Sequence, residues 1–370
     1  MTLKMDRRTY LKGALGLAAG VVLPPGVLAL SGCSGTSVAA DVESFGGSTM
    51  GTGYSVQLGD RLAATFARAG ATPPERASGG TLAALEAEFG GVLEGIEASM
   101  STYRPESELS RVNASGDGDW LPLSARTAEV IGAALEASET SGGAFDATVG
   151  PLVNLWGFGP TGIATAPPAR DAVASARERV GFAFIEFDAS RGALRKRRAD
   201  TYLDLSGIAK GHAVDRLAER LEHHGRASYL VEIGGELRAR GTKPDGSPWR
   251  VAIERPAAGR RAVHRVVELR DAAIATSGDY RNFFDAGGRR YSHSIDPRSG
   301  RPVTHGLASV SVVASSTMDA DALSTALMVM GPADGIDFAR EHGLAAHFIV
   351  KSAGGLEETY TRAFERHLAA

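Results

Sequence analysis

Helix-period and strand-period segments follow one another along this chain without strict alternation, and that irregular order constrains its fold more than any other feature. A parallel sheet needs a crossover between consecutive strands, so strand and helix patterns would take turns along it. Here helical patterns dominate the first half. Thr81 to Ser99 sets Leu82, Leu85, Phe89, Val92, Leu93 and Ile96 on one stripe, Ser124 caps a helix ending at Gly142-Gly143, and Ala169 to Val180 is a third. Strands are expected at Ala183 to Asp188 and Tyr202 to Leu205, then a helix reaching His223-His224, where cations suit the C-terminal dipole. The second half reads as strands at Ser228 to Ile233, Trp249 to Glu254, Val263 to Leu269, Ala272 to Thr276, Tyr280 to Asp285 and Leu307 to Ala314. Helices at Met318 to Met330 and Pro332 to His342 and a strand at Ala345 to Val350 close the pattern. Such an order predicts an α+β body with a mixed, mainly antiparallel sheet and flanking helices. Gly59 to Gly80, rich in Ala, Gly and Pro, reads as a surface insertion.

At 370 residues and 43% hydrophobic, the chain can bury a full core without covalent staples. Cys33 is its only cysteine, which removes disulfides, cysteine metal sites and cysteine nucleophiles together. A formal net charge of −3 and the lack of a long Lys/Arg run argue against a nucleic-acid partner. Lys4, Arg7 and Arg8 precede an apolar stretch from Leu11 to Leu30 that is broken by Pro24-Pro25 and closed by Ser31-Gly32-Cys33. Residues 1–33 therefore read as an export signal of lipoprotein type, with Leu30 to Cys33 resembling a lipobox and Asp6 to Lys12 a twin-arginine signal. The expectation is a body outside the cytoplasm, held to the membrane by lipid on Cys33, with residues 34–47 as a tether and residues 48–370 as one domain.

Groups that handle phosphate and metal concentrate between Ala275 and Thr325. Asp321 and Thr325, four positions apart, fall on one helix face, and a carboxylate with a hydroxyl suits Mg²⁺. His293 stands between Ser292 and Ser294 at the start of a polar loop. It is either a satisfied core histidine or a neutral imidazole placed to take a proton from a hydroxyl. Gly207 to Gly211 joins an expected strand to a helix start, where free N–H groups meet anions. Lys210 within it could reach a phosphate or remain an exposed helix lysine, and Asp204 could cap the helix or bind a ligand. Asp319 reads as a helix N-terminal carboxylate. Walker, dinucleotide and HExxH patterns are missing.

Several strings in order resemble the ApbE family of FAD:protein FMN transferases. They are MGT from Met50, MSTYRPESELSRVN from Met100, GGAFDATVGPLVNLWGFGP from Gly142, LDLSGIAKGHAVD from Leu203, VEIGGELRARG from Val231, IATSGDYRNFF from Ile274, SHSIDPRSGRPV from Ser292 and ADALSTALMVMG from Ala320. The resemblance implies a T-fold-related body and a Mg²⁺-dependent transfer of FMN from FAD to a Thr or Ser hydroxyl of an exported flavoprotein, releasing AMP. A subunit of a sodium-pumping NADH:quinone reductase is one such acceptor. By motif, Met50, Tyr103, Ala144, Phe145, Asp146, Asp204, Lys210 and Ile274 would line the FAD site. Asp321 and Thr325 would hold Mg²⁺ with their side chains and Gly207 with its carbonyl, and His293 would be the general base. His212 stands where the family often has Tyr. Two alternatives share the site: a FAD pyrophosphatase giving FMN and AMP, and a tethered FAD-binding protein without turnover.

Overall fold

The computed structural model describes residues 42–59, 82–162, 164–257 and 262–369. The signal, Cys33 and all of the Gly59 to Gly80 insertion after Gly59 lie outside them. Among the described residues no helix is long and apolar enough to cross a membrane.

An eight-stranded sheet organises the molecule, and its strands lie side by side in chain order. They are β1 (Glu43–Thr49), β2 (Thr52–Leu58), β3 (Tyr229–Ile233), β4 (Glu236–Arg240), β5 (Ala272–Gly278), β6 (Leu307–Ala314), β7 (Ala345–Ser352) and β8 (Gly355–Tyr360). Each neighbouring pair is antiparallel, as the irregular element order predicts.

Both faces of the sheet are covered, and the period-2 alternation shows which residues go where. On β3, Tyr229, Val231 and Ile233 point into a core shared with helices α1 (Leu82–Met100), α2 (Ala125–Thr140) and α3 (Ala209–His223). Leu230 points the other way, toward a two-stranded ribbon of Trp249–Glu254 and Val263–Leu269 that closes over Leu237, Ile274, Val313 and Ile349. At the far end α4 (Thr317–Met330) and α5 (Pro332–Glu341) cover Val310, Val312 and Phe348. Full burial of side chains such as Phe89, Leu217 and Phe348 stabilises the body by about 1.5–3 kcal/mol each.

Helix ends follow the expected chemistry. Ser124 accepts from the Thr127 N–H and Ser316 from the Asp319 N–H, so Asp319 sits in the first turn of α4 as expected. Gly142 and Gly143, at φ 58° and 77°, end α2 in the left-handed region.

Three expectations need correction. Tyr202 to Leu205 is not a strand, because Asn113 satisfies its backbone instead: Asn113 Nδ2 donates to the Leu203 carbonyl at 2.9 Å and Oδ1 accepts from the Leu203 N–H at 2.7 Å. The strand expected from Tyr280 begins only at Phe283, where it forms a hairpin with Arg289–Ser292. The folded body starts before Ser48, since β1 begins at Glu43 inside the segment read as a tether. β1 and β2 meet through a two-residue turn, Met50-Gly51, with φ of 49° and 72°. Positive φ is costly for Met50, and its N–H is held by Glu97 Oε1 at 2.8 Å.

Candidate active site

The first turn of α3 sits against the middle of α4 because Asp215, two turns into α3, ties down the start of α4. Its carboxylate accepts from Ser316 Oγ (3.0 Å), Thr317 N (3.0 Å), Thr317 Oγ1 (2.8 Å) and Met318 N (2.9 Å), and pairs with Arg238 Nη1 at 2.7 Å. Asp321, one turn into α4, thereby meets the open end of α3 and accepts the Gly211 N–H at 3.0 Å through Oδ2. Its Oδ1 lies 3.8 Å from Lys210 Nζ, which donates to Glu236 Oε1 of β4 at 2.7 Å. Gly211 has no room for a side chain: a Cβ there would lie 2.4 Å from the Thr317 carbonyl.

This cluster is short of positive charge. Asp321 and Glu236 are both buried and share one ammonium, and Glu236 Oε2 has no partner. Burial raises both carboxyls against the pull of Lys210, and Glu236 is pushed up to about 7. Burial alone would lower Lys210, but Asp321 and Glu236 outweigh it and hold its ammonium above the usual lysine range.

The cluster forms the floor of a cavity of about 460 Å³, a size suited to a cofactor-sized ligand. Tyr103, Ala144, Phe145, Asp146, Asp204, Gly207, Lys210, Ile274, His293, Asp321 and Thr325 all line it, so the fold brings sequence positions far apart to one cavity. Met50 does not line it and instead forms the strained turn between β1 and β2. Gly207 passes so close to Thr325 that a Cβ would lie 3.2 Å from both Oγ1 of Thr325 and the Phe145 ring, which brings its backbone beside the Asp321–Thr325 face. Ser277 Oγ supports that face from β5, 3.0 Å from Ser324 Oγ and 3.5 Å from Thr325 Oγ1.

Asp146 and Asp204 spend hydrogen-bonding capacity on backbone and hydroxyl groups of the protein itself. Asp146 accepts from Thr148 N (2.8 Å), Thr148 Oγ1 (2.6 Å) and Phe182 N (3.1 Å), fixing the Ala144–Phe145 turn at the cavity wall. Asp204 accepts from Ser206 N at 2.9 Å in an Asx turn; the N-cap position of α3 belongs to Ile208. Across the cavity His293 Nδ1 lies 3.0 Å from the Asn282 carbonyl. A carbonyl can only accept, so Nδ1 carries the proton and Nε2 keeps a lone pair. Burial lowers the pKa of His293, the Asn282 carbonyl opposes that, and Lys210 adds to the lowering. Tyr103 stands 64% exposed on the rim, and its hydroxyl donates to the Phe158 carbonyl at 3.2 Å.

Sequence reasoning missed Glu236. The signal was present in ELRAR: Glu236, Arg238 and Arg240 alternate with Leu237 and Ala239, and all three pair with one face of α3, at Lys210, Asp215 and Glu222. Charge at period 2 in an otherwise apolar strand marks a polar contact with a covering helix.

The model of the ApbE family matches residues 50–348. The chain is 37% identical to an FAD:protein FMN transferase of Haemophilus influenzae, with 95% of this chain and 97% of the relative covered. It is 39% identical to one of Vibrio cholerae, with 93% and 97% covered. Among solved structures, a flavin transferase ApbE from Vibrio cholerae superposes with a TM-score of 0.78 at 37% identity, covering 89% of this chain and 100% of the other. The apo form of a Pseudomonas stutzeri flavinyl transferase ApbE gives 0.77 at 42% identity, covering 89% and 98%.

Proposed function

Since the chain belongs to the ApbE family, we propose that it is an FAD:protein FMN transferase whose cavity holds FAD while an acceptor hydroxyl attacks it. The observation that carries this reading is the convergence on one cavity of the Lys210–Glu236–Asp321 cluster and a histidine whose Nδ1 is anchored.

In the proposed step His293 Nε2 takes the proton of a Thr or Ser hydroxyl as its oxygen attacks the phosphorus of the FMN half of FAD. The bond from that phosphorus to the bridging oxygen breaks, and AMP departs with the bond's electron pair. Lys210 supplies a point charge beside the phosphates, and Glu236 fixes its direction. Phe145 and the rim residue Tyr103 offer faces for the flat rings of the substrate.

Two buried carboxyls, Asp321 and Glu236, that share one ammonium fit a divalent cation, and the donors there are oxygens, the kind Mg²⁺ takes. Asp321 and Thr325 would hold it through side chains and Gly207 through its carbonyl. When bound, Mg²⁺ supplies charge neutralisation on the phosphate oxygens.

Incubation with FAD, Mg²⁺ and an acceptor protein carrying a flavinylation sequence tests the reading. It predicts a covalently fluorescent acceptor and an equal amount of AMP. FMN and AMP appearing with no labelled acceptor would identify a pyrophosphatase, and tight FAD binding without AMP a non-catalytic binder. We further infer export and lipid attachment at Cys33 from the basic start and the Leu30 to Cys33 string. Radiolabelled palmitate should enter the wild-type chain in a bacterial host and not Cys33→Ala; equal labelling of the two would remove the anchor.

A further inference from the structure

Away from the cavity, two histidines and a glutamate from three different strands meet at one point. His347 of β7 and Glu358 of β8 are diagonal neighbours on one face of the sheet, since Ile349 pairs with Glu358 and His347 with Tyr360. The ribbon strand Val263–Leu269 lies over that face and brings His264 down to them. Glu358 Oε2 is 3.0 Å from His347 Nε2 and 3.1 Å from His264 Nε2, and all three ligand atoms lie within 4.8 Å of one another. None of the three residues lines the cavity.

We propose that His264, His347 and Glu358 form a second metal centre, suited to Zn²⁺ or a similar borderline transition-metal ion, that pins the ribbon to the edge of the sheet. Two imidazoles and a carboxylate are a donor set that Zn²⁺ takes, leaving one position for water. Donors about 2.0–2.1 Å from a tetrahedral centre stand roughly 3.3 Å apart, so the two observed spacings need only a small opening to admit the ion.

The donors are held in orientation by their neighbours. A carboxylate oxygen accepts, so without an ion each Nε2 donates its proton to Glu358 Oε2; an ion bound there would take the Nε2 lone pairs as the ring protons move to Nδ1. The His347 ring is stacked on Phe364, with centroids 5.3 Å apart and planes at 25°, and on Tyr360, at 6.3 Å and 19°. Arg265 spans the carboxylate of Glu358, pairing with Oε1 and reaching Oε2 through Nε at 3.4 Å, which fixes the carboxylate while Oε2 faces the histidines. The Glu358 side chain is 25% exposed, which gives an ion a route in from solvent.

The centre is distinct from the Mg²⁺ position: it offers nitrogen donors, and the flavin cavity offers oxygen. Full-length protein stripped of metal and resupplied with excess Mg²⁺ should therefore still take up Co²⁺ with visible d–d bands that saturate at one equivalent. Zn²⁺ should displace it and raise Tm by a few degrees. His264→Ala and Glu358→Gln change partly exposed residues and should fold. Both should lose the Co²⁺ bands and the Zn²⁺-dependent rise in Tm while FAD binding is unchanged. A folded wild-type protein with neither bands nor a Zn²⁺ shift would overturn the proposal, and so would bands that persist undiminished in both variants.

Discussion

The site exists because Asp215 fixes the start of α4 against α3, and Asp215→Ala tests that dependence. The change removes the acceptor of the buried Thr317 N–H, of the Met318 N–H and of two hydroxyls, and leaves the Arg238 guanidinium without its closest partner. Breaking a buried charge pair by deleting one member costs about 3–5 kcal/mol, and two orphaned amide donors alone would cost about 1–3 kcal/mol each. Arg238 keeps a quarter of its side chain in solvent and has Glu222 at 3.9 Å, so the lower end applies. The expected loss is about 3 kcal/mol. Asn at 215 keeps one acceptor oxygen and turns an amide toward donors, for a loss of roughly half that. Guanidinium unfolding at pH 7 without FAD or metal measures both, and FAD titration at low denaturant reads the site. Since Asp321 lies one turn beyond the tied segment, FAD affinity in Mg²⁺ should fall together with stability. A loss below about 1 kcal/mol in Asp215→Ala with an unchanged m value would refute the idea that this carboxylate organises the site.

Asp321→Ala should abolish the Mg²⁺ dependence of turnover while leaving the protein folded, as circular dichroism and a Mg²⁺ titration of AMP release will show. His293→Ala should keep FAD affinity and lower the transfer rate by about 10²–10⁴-fold, the usual worth of a positioned base. Because burial depresses the pKa of His293, wild-type kcat/KM should fall with acid only below the ordinary histidine value of 6.5, and this acid limb should vanish in the variant. His212 is buried with both ring nitrogens unpartnered, and burial lowers it to about 4. Its folded form stays neutral while the unfolded form takes a proton below 6.5, so stability is lost as pH falls through that window. From pH 7 to 5 this amounts to about 2 kcal/mol, which His212→Phe should remove from the acid limb of stability measured by denaturant midpoints.

Much of this was legible in the sequence wherever one segment carried its own signal. The α1 stripe, the Ser124 cap and the central strand Leu307 to Ala314 needed no partner to be read. The failures share a physical cause, which is that a distant group took over a local preference. Asn113 supplies the hydrogen bonds that would otherwise have made Tyr202 to Leu205 a strand. Glu97 holds Met50 in a left-handed turn that its side chain disfavours, and so hides the β1–β2 hairpin. For the cavity, motifs named most of the lining residues singled out above, though not Glu236, while their relations came only from the fold. Nothing in the local sequence says that Lys210 points at Glu236 or that Asp321 receives the end of α3. The role of Asp204 illustrates the same limit, since its Asx turn with Ser206 is local but was masked by the expected strand.

In the proposed reaction a hydroxyl of another protein, activated by His293, displaces AMP from FAD in this cavity. Intact-mass spectrometry of a purified acceptor, incubated with the enzyme, FAD and Mg²⁺ beside an acceptor whose target Thr is changed to Ala, separates this transfer from hydrolysis. The first acceptor only should gain a mass equal to FMN less water, with AMP released in equal amount and both slowed together in His293→Ala. Release of FMN and AMP at the same rate with either acceptor, neither gaining mass, would contradict it.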